Sequence, residues 1–582
     1  MLKERSLCMT YFKIANEAYK LTLSYDKEEP ISPSRLVAAR GDTAAFQVIL
    51  NSDNHYSVSV GRTEWFSNEC LPVLRTNHER LRIDVSAPFE VELNIEEFVT
   101  DDDGIKKADI LLNSDTRDST PDTPTAVYAE IKVPANAEAG DYEIKVNVYS
   151  SFYTTDEKLI GSYTLPLKVY PVTLPDYRDW SFYLDLWQHN SNIARHYDVR
   201  LWSDEHFAVI KNVIDSLARL GQKSITVIAS EIPWSGQGCA DSPIRGGNMF
   251  EYSMIGITKK KSGEYVYDYS KMQRYIDICT SAGISGDIEV FGLVNLWVKE
   301  FLGTPAIDYV EPIRLRYYDE SDGTMKYVSE SSVVEDYIRS LEKYFIDTDQ
   351  ISRVRVAADE PGNIDKYRMS LAKIRTIAPA FRYKTAINHA EFIEEFGDVI
   401  DDFAPYIYCV CDKLEVLKGY QKRFCGKRFL WYVCCGDGRP NTQLRQHLTE
   451  ARMIGVMNYH LGFDGFLRWA YTIWPENPRL DARYSFFECG DTAFVYPAYN
   501  GDVLLSLRYK GLLRGISDYE LLRLLGEKGK GEYAASLAAA LLEVQDLAVY
   551  KKVSQETRKG AHSHNWEDFN AMKNSILKEL SL

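Results

Sequence analysis

Eight times between Trp180 and Tyr471, a short run rich in β-branched and aromatic residues is followed by a stretch with helical spacing, and few folds accommodate that rhythm. In order, the runs are WSFYLDLW from Trp180, SITVIAS from Ser224, DIEVFGL from Asp287 and VRVAADE from Val354. RYKTAIN from Arg382, FAPYIYCV from Phe403, RFLWYVCC from Arg428 and GFLRWAY from Gly465 complete the set. Phe207, Ile210, Val213, Ile214, Leu217 and Leu220 form one helical stripe, with Ser203 as its N-cap and Gly221 just past its end. Ser270 and Gln273 read as the capping box of another helix that closes at Gly283. Eight strand–helix units over ~340 residues fit a (β/α)8 TIM barrel with some long loops. A doubly wound open sheet is the structural alternative.

The chain before this region has a different period. Val127, Ala129, Ile131 and Val133 alternate with polar residues, and Tyr142, Ile144, Val146 and Val148 do so again after the turn PANAEAG. FQVIL at Phe46–Leu50 and LPLKVYPV at Leu165–Val172 fit further strands, so a β-sandwich is expected, with Pro171 and Pro175 marking the linker. Beyond Asp502 the pattern turns helical. The fold class expected is therefore multi-domain, β plus α/β: a β-sandwich over 1–175, a (β/α)8 domain over 176–530 and a C-terminal helical extension over 531–582. Ala534–Leu542 is apolar on several sides and would either cover the barrel or form a dimer contact; the pattern sets no oligomeric state.

Acidic residues outnumber basic ones 84 to 68, for a formal charge of −16, which repels phosphate backbones and anionic lipids. Neither nucleic acid nor membrane is an expected partner, and no apolar run reaches transmembrane length. The N-terminus shows no apolar h-region with a cleavage site, and the ten cysteines include no C-x-x-C pair, so reduced thiols in a cytoplasm are expected. No phosphate loop, H-E-x-x-H or G-x-S-x-G appears, and the ten histidines show no metal-ligand cluster; neither cofactor nor metal is expected.

In a barrel of this kind, chemistry sits at the carboxyl ends of the strands. RVRVAADEPG puts Asp359 and Glu360 at the end of the fourth, where Pro361 biases Glu360 away from helix and Gly362 permits a sharp turn. Like charges this close disfavour double ionisation, and a carboxyl that keeps its proton near neutral pH is what a general acid needs. The plainer reading has Asp359 capping the next helix and Glu360 pairing with a surface Lys or Arg. Eight of the ten tryptophans lie between Trp180 and Trp474, and Trp187, Trp234, Trp297, Trp431, Trp469 and Trp474 fall at strand ends or just beyond, as faces on which sugar rings stack. Polar partners for hydroxyls are Asp185, Gln188 and His189 after the first strand, Asn388 and His389 after the fifth, then Tyr406, Tyr408, Asn441, Arg468 and Tyr471. Cys434–Cys435 ends the seventh strand without a neighbouring His, which favours packing over a nucleophile.

AADEPG, WYVCCGDGRPNTQLRQHLTEARMIG, DGFLRWAYTIW and SLRYKGLLRGISDYELL together resemble the catalytic region of glycoside hydrolase family 123, as do DLWQHN and VYDYSKMQRYIDICTSAGI. RGDTAAFQVIL and VPANAEAGDYEIKVNV resemble that family's β-sandwich, so the likeness spans nearly the whole chain in order. It implies a retaining exo-acting β-N-acetylgalactosaminidase on a glycan or glycoconjugate, with the sugar's own 2-acetamido oxygen as nucleophile and an oxazolinium intermediate. Carried onto this sequence, Asp359 would hold the acetamido N–H and Glu360 would act as acid, then base. The loops EIPWSGQGCADSPIRGG from Glu231 and around Trp297 would shape specificity. Two other readings stand beside this one: a conventional pair of carboxylates, with Glu360 joined by Glu231 or Glu289, and a catalytically silent carbohydrate-binding protein.

Overall fold

The structure, a computed structural model, describes residues 10–24, 29–61, 78–121, 123–152, 155–234, 249–295, 313–436, 438–484, 487–544, 546–547 and 561–582. Trp297 and residues 235–248, most of the loop from Glu231, lie outside them.

Residues 11–173 form two sheets. One carries five strands, among them Thr43–Asn51 and Thr125–Lys132; the other carries six, among them Gly140–Phe152 and Lys158–Thr173. Phe46, Val48, Val127 and Ala129 from the first meet Ile144, Val146, Leu165 and Leu167 from the second in one apolar core. The alternation in Thr125–Lys132 predicts a wet outer face, yet seven of its eight residues are buried. The helix Leu507–Leu525 covers that face: Lys510 pairs with Glu130 at 2.6 Å, and Arg514 with Glu17 at 2.8 Å and Glu130 at 3.0 Å.

The eight expected strands are all present: Tyr183–Leu186, Ile225–Ile228, Ile288–Phe291, Val354–Ala358, Arg382–Ile387, Asp402–Pro405, Arg428–Tyr432 and Gly465–Arg468. They make one parallel sheet in which the second to eighth strands pair in chain order and the eighth pairs with the first. Between the first and second strands, Leu184 and Gln222 form an isolated parallel bridge, and Lys223 N donates to the Leu184 carbonyl at 2.9 Å.

Two local expectations are corrected. The sixth strand stops at Pro405, and Ile407 begins a helix to Arg423, because the apolar residues of YIYCV cover one helical face. Ser270 and Gln273 make no capping box: Tyr269 holds the N-cap, Asp268 Oδ1 accepts from Ser270 N at 2.9 Å, and Gln273 turns to Asp277 and Tyr344. Ser203, by contrast, caps Asp204–Arg219 as expected, accepting from His206 N.

The helix Leu448–Leu461 crosses Leu507–Leu525 at a glycine contact. A Cβ on Gly455 would stand 1.9 Å from the Gly515 carbonyl oxygen, so the two backbones meet directly. The last helix, Trp566–Leu580, lies against the six-stranded sheet, with Tyr170 donating to Asn574 at 2.8 Å and Lys573 paired with Asp42 at 2.7 Å. No helix among the described residues is long and apolar enough to cross a membrane.

Candidate active site

Inside the sheet, below its carboxyl end, lie two layers of buried charge. Asp287 and Asp402 are bound by Arg355 and Arg428, and Tyr183 donates to Asp287 at 2.7 Å. One layer higher, Lys384 bridges Asp185 and Glu289, the latter at 2.5 Å. Burial and the Asp185 charge push the Glu289 carboxyl up to about 8, against Lys384. Asp185 is thus an interior ion-pair member rather than a hydroxyl partner, and Glu289 is enclosed. Glu231 is also committed, to Arg316 at 2.5 and 3.2 Å and to Tyr327 at 2.7 Å. Neither glutamate expected as the second member of a conventional pair is available for that role.

Above the charged layers, the fourth strand ends at Ala358 and delivers Asp359 and Glu360. The turn is made by Glu360 itself, at φ 35°, rather than by Gly362, so the chain reverses one residue before Pro361. Glu360 N donates to the Ala386 carbonyl at 3.0 Å on the fifth strand. Its carboxylate accepts a hydrogen bond from Tyr432 on the seventh. Burial and the Glu360 charge hold the Tyr432 phenol well above its ordinary range, so it stays a donor. The following helix is capped by Asn363, not Asp359, and Glu360 faces a tyrosine instead of a surface cation. The plainer reading of the pair is set aside on both counts.

Asp359 and Glu360 line a cavity of about 70 Å³ with Trp187, Trp469, Tyr432, Cys434, Cys435, Ala386 and Leu467. A larger cavity, about 620 Å³, opens between the two-sheet region and the loop after the eighth strand. Its Glu97 is consumed by Arg117 at 2.9 and 3.1 Å. The smaller cavity is the one that holds two adjacent carboxylates.

The expected binding residues divide into groups. Trp187 and Trp469 are cavity walls; Trp469 Nε1 donates to Asp491 at 3.2 Å. Trp234 stacks edge-on to His189 at 4.6 Å, and His189 lies 6.3 Å from Trp469. Burial pulls His189 down to about 3, so the ring is neutral. Tyr406 lies 5.2 Å from Tyr432 and 5.0 Å from Tyr408, beside the Glu360 contact. Asn388 and His389 are exposed at the end of the fifth strand.

The rest are corrected. Gln188 is spent inside the sheet, accepting from Thr226 N at 2.7 Å and Tyr275 at 3.0 Å. Trp431 points outward, packs on Phe466 and donates to Asn458 at 2.9 Å, because it has the opposite parity to Tyr432. Tyr471 is buried against Ser216 at 2.8 Å, and Trp474 donates to the Val495 carbonyl at 2.8 Å. Asn441 and Arg468 bind each other at 3.2 Å, and Arg468 continues to Asp491 at 3.0 Å, so they brace the wall rather than face the cavity. Cys434 does line the cavity, but the neighbouring Cys435 thiol and burial hold it well above the ordinary thiol range, which leaves a weak nucleophile.

Sequence reasoning missed Tyr432. Its signal was the period of two: Arg428, Leu430 and Tyr432 share the inward parity of the seventh strand. Among the described residues, two groups could hold a cation, Glu450–His562–His564 and Asp101–Asp102–Cys489, and the residues of neither line this cavity.

Residues 187–525, more than half of the chain, match the glycoside hydrolase 123 catalytic domain, a span that includes both carboxylates and the cavity walls. The class is glycoside hydrolase. More narrowly, the chain belongs to glycoside hydrolase family 123. Among solved structures it is similar to a family 123 glycoside hydrolase from Clostridium perfringens, described for glycolipid glycan hydrolysis: 17% identity, 98% of this chain and 97% of that one covered, TM-score 0.74. A candidate glycoside hydrolase from Bacteroides vulgatus aligns at 10% identity over 85% of this chain and 79% of that one, with a TM-score of 0.29, too low to define a shared fold. No curated protein matches.

Proposed function

We propose that the chain is a retaining exo-glycoside hydrolase that releases a β-linked 2-acetamido sugar, N-acetylgalactosamine, by substrate-assisted catalysis. The observation that carries the reading is the single cavity shared by Asp359 and Glu360, while Glu231 and Glu289 are tied up elsewhere. A site with two adjacent carboxylates and no separate acidic nucleophile fits a substrate that brings its own. The eight-stranded sheet is read as a closed (β/α)8 barrel, the two-sheet region as a β-sandwich, with boundaries near 175 and 530.

In this mechanism Glu360 gives its proton to the departing glycosidic oxygen as the C1–O bond breaks. The acetamido oxygen bonds to C1 from the opposite face, and Asp359 accepts the acetamido N–H and offsets the positive charge of the oxazolinium ion. Water then adds to C1, its proton passes to Glu360, and the ring opens with net retention. Tyr432 orients Glu360; Trp187 and Trp469 take the sugar's apolar face, and Trp234, His189, Tyr406, Tyr408, Asn388 and His389 extend the cleft. The choice of galacto-configured sugar rests on the family resemblance. A glycolipid glycan is the substrate class suggested by the Clostridium perfringens relative.

The test is turnover of an aryl β-N-acetylgalactosaminide by wild type, Asp359→Asn and Glu360→Gln, with product anomer read by NMR. Loss of about 10²-fold or more in kcat for each variant, with retention in wild type, is expected. Unimpaired variants, or an inverted product, would overturn the assignment.

A further inference from the structure

We propose that Glu450, His562 and His564 form a binding site for a zinc-class divalent cation that fastens the C-terminal segment to the sheet-and-helix unit. Glu450 lies in the first turn of Leu448–Leu461 and is fully buried. The two histidines come from 112 residues further along, on a short extended piece held by backbone pairing: Glu543 N donates to the Ala561 carbonyl at 3.0 Å and Ser563 N to the Leu541 carbonyl at 2.8 Å. Residues two apart on extended chain share a side. His562 and His564 therefore present both rings to Glu450, while Ser563 turns to Asp568 at 2.5 Å.

The geometry points to a metal rather than to a hydrogen-bond network alone. His562 Nε2 and His564 Nε2 stand 3.5 and 3.1 Å from one oxygen, Glu450 Oε1, and the three donor atoms lie within 4.8 Å of one another. Ligands held at about 2.0–2.2 Å in a tetrahedron are separated by about 3.3–3.6 Å; the 3.5 Å edge lies in that range and the 3.1 Å edge just below it. Arg439 also binds Oε1 at 2.9 Å, and Asn441 N donates to Oε2 at 3.0 Å. With a cation in place, Arg439 and Asn441 become the outer hydrogen bonds that orient the carboxylate. Two imidazoles and one carboxylate select zinc over magnesium or calcium, which prefer oxygen alone. Three protein ligands leave the fourth position to water.

The site also reaches the cavity wall. Asn441 Oδ1 accepts from Arg468 at 3.2 Å, Arg468 pairs with Asp491 at 3.0 Å, and Asp491 accepts from Trp469 at 3.2 Å. Fixing Glu450 thus helps fix Trp469.

The experiment takes the full chain, stripped with a chelator and dialysed. Zinc binding is followed by calorimetry and by thermal melting, and cobalt is substituted to read the coordination sphere. The expected result is one equivalent of zinc, a rise in Tm on binding, and visible cobalt bands without thiolate charge transfer. His564→Asn, at the most exposed of the three ligands, and Glu450→Gln should weaken binding by about a hundredfold or more. His564→Asn should keep the metal-free Tm of the wild type, which separates lost ligation from lost folding. Absence of binding by the stripped wild type, undiminished binding in folded His564→Asn, or a thiolate band assigning the metal to Cys489 would each overturn the proposal.

Discussion

Glu360 holds φ 35° directly before a proline, a conformation a β-carbon disfavours at a cost on the order of 1–3 kcal/mol. Its backbone bond to Ala386 and its carboxylate contact to Tyr432 oppose relaxation, so the proposed acid–base group is fixed by strands five and seven as well as its own. A second residue at this scale has a measurable signature. Glu251 is buried beside Ser191, whose backbone N–H it accepts at 3.0 Å, with Arg195 4.0 Å away. Burial raises its carboxyl from 4.5 to about 7, outweighing Arg195. The folded state then holds a proton that the unfolded chain releases at lower pH, so this group's contribution falls as pH rises from about 4.5 to 7. The total is on the order of 3 kcal/mol. Glu251→Gln should flatten that slope and raise Tm at pH 8, as read by melting curves across the range; an unchanged slope would place the titration elsewhere.

At the scale of elements, the crossing of Leu448–Leu461 on Leu507–Leu525 admits no side chain at Gly515, where a Cβ would meet the Arg452 carbonyl oxygen at 2.3 Å. Gly515→Ala should cost about 3 kcal/mol by forcing the helices apart, visible as a lower denaturation midpoint, whereas Gly419→Ala, which meets nothing within 4 Å, should not. This crossing was not legible in the sequence, since a glycine pair sixty residues apart looks like two ordinary helix interruptions. The strands were legible, because a buried parallel strand writes its whole length in apolar residues. Asp359 and Glu360 were legible for the same reason: charge directly after Val354–Ala358 must lie at a strand's end. Trp431, Gln188 and Tyr471 were misassigned because composition at a strand end does not reveal which way a side chain faces. Tyr432 and the Glu450–His562–His564 group depend on contacts 72 and 112–114 residues apart, beyond any local pattern.

The whole molecule is held together by charge as well as by apolar packing. Burial alone would raise Glu130, but Lys510 and Arg514 hold it at about 2, and Arg508 pairs with Asp109 at 2.9 Å along the same helix. The Glu130 contribution is complete above its unfolded value of 4.5 and is lost as pH falls towards 2. Glu130→Gln strips buried Lys510 of its carboxylate and leaves Arg514 with Glu17 alone; it should cost about 3–5 kcal/mol at pH 7, with the gap to wild type narrowing below pH 4. Equal stability at pH 7 would mean that the Glu130 pairs contribute nothing net to holding the two-sheet region on the helix Leu507–Leu525. The function proposed for this assembly rests on one chemical claim, that the substrate's acetamido oxygen is the nucleophile. The most direct measurement is the wild-type rate on aryl β-N-acetylgalactosaminides whose acetyl group carries none, one, two or three fluorines, beside the matched galactoside. Fluorine weakens the acyl oxygen as a nucleophile, so kcat should fall steeply along the series and the galactoside should not turn over. A flat series, or cleavage of the galactoside at a comparable rate, would contradict substrate assistance.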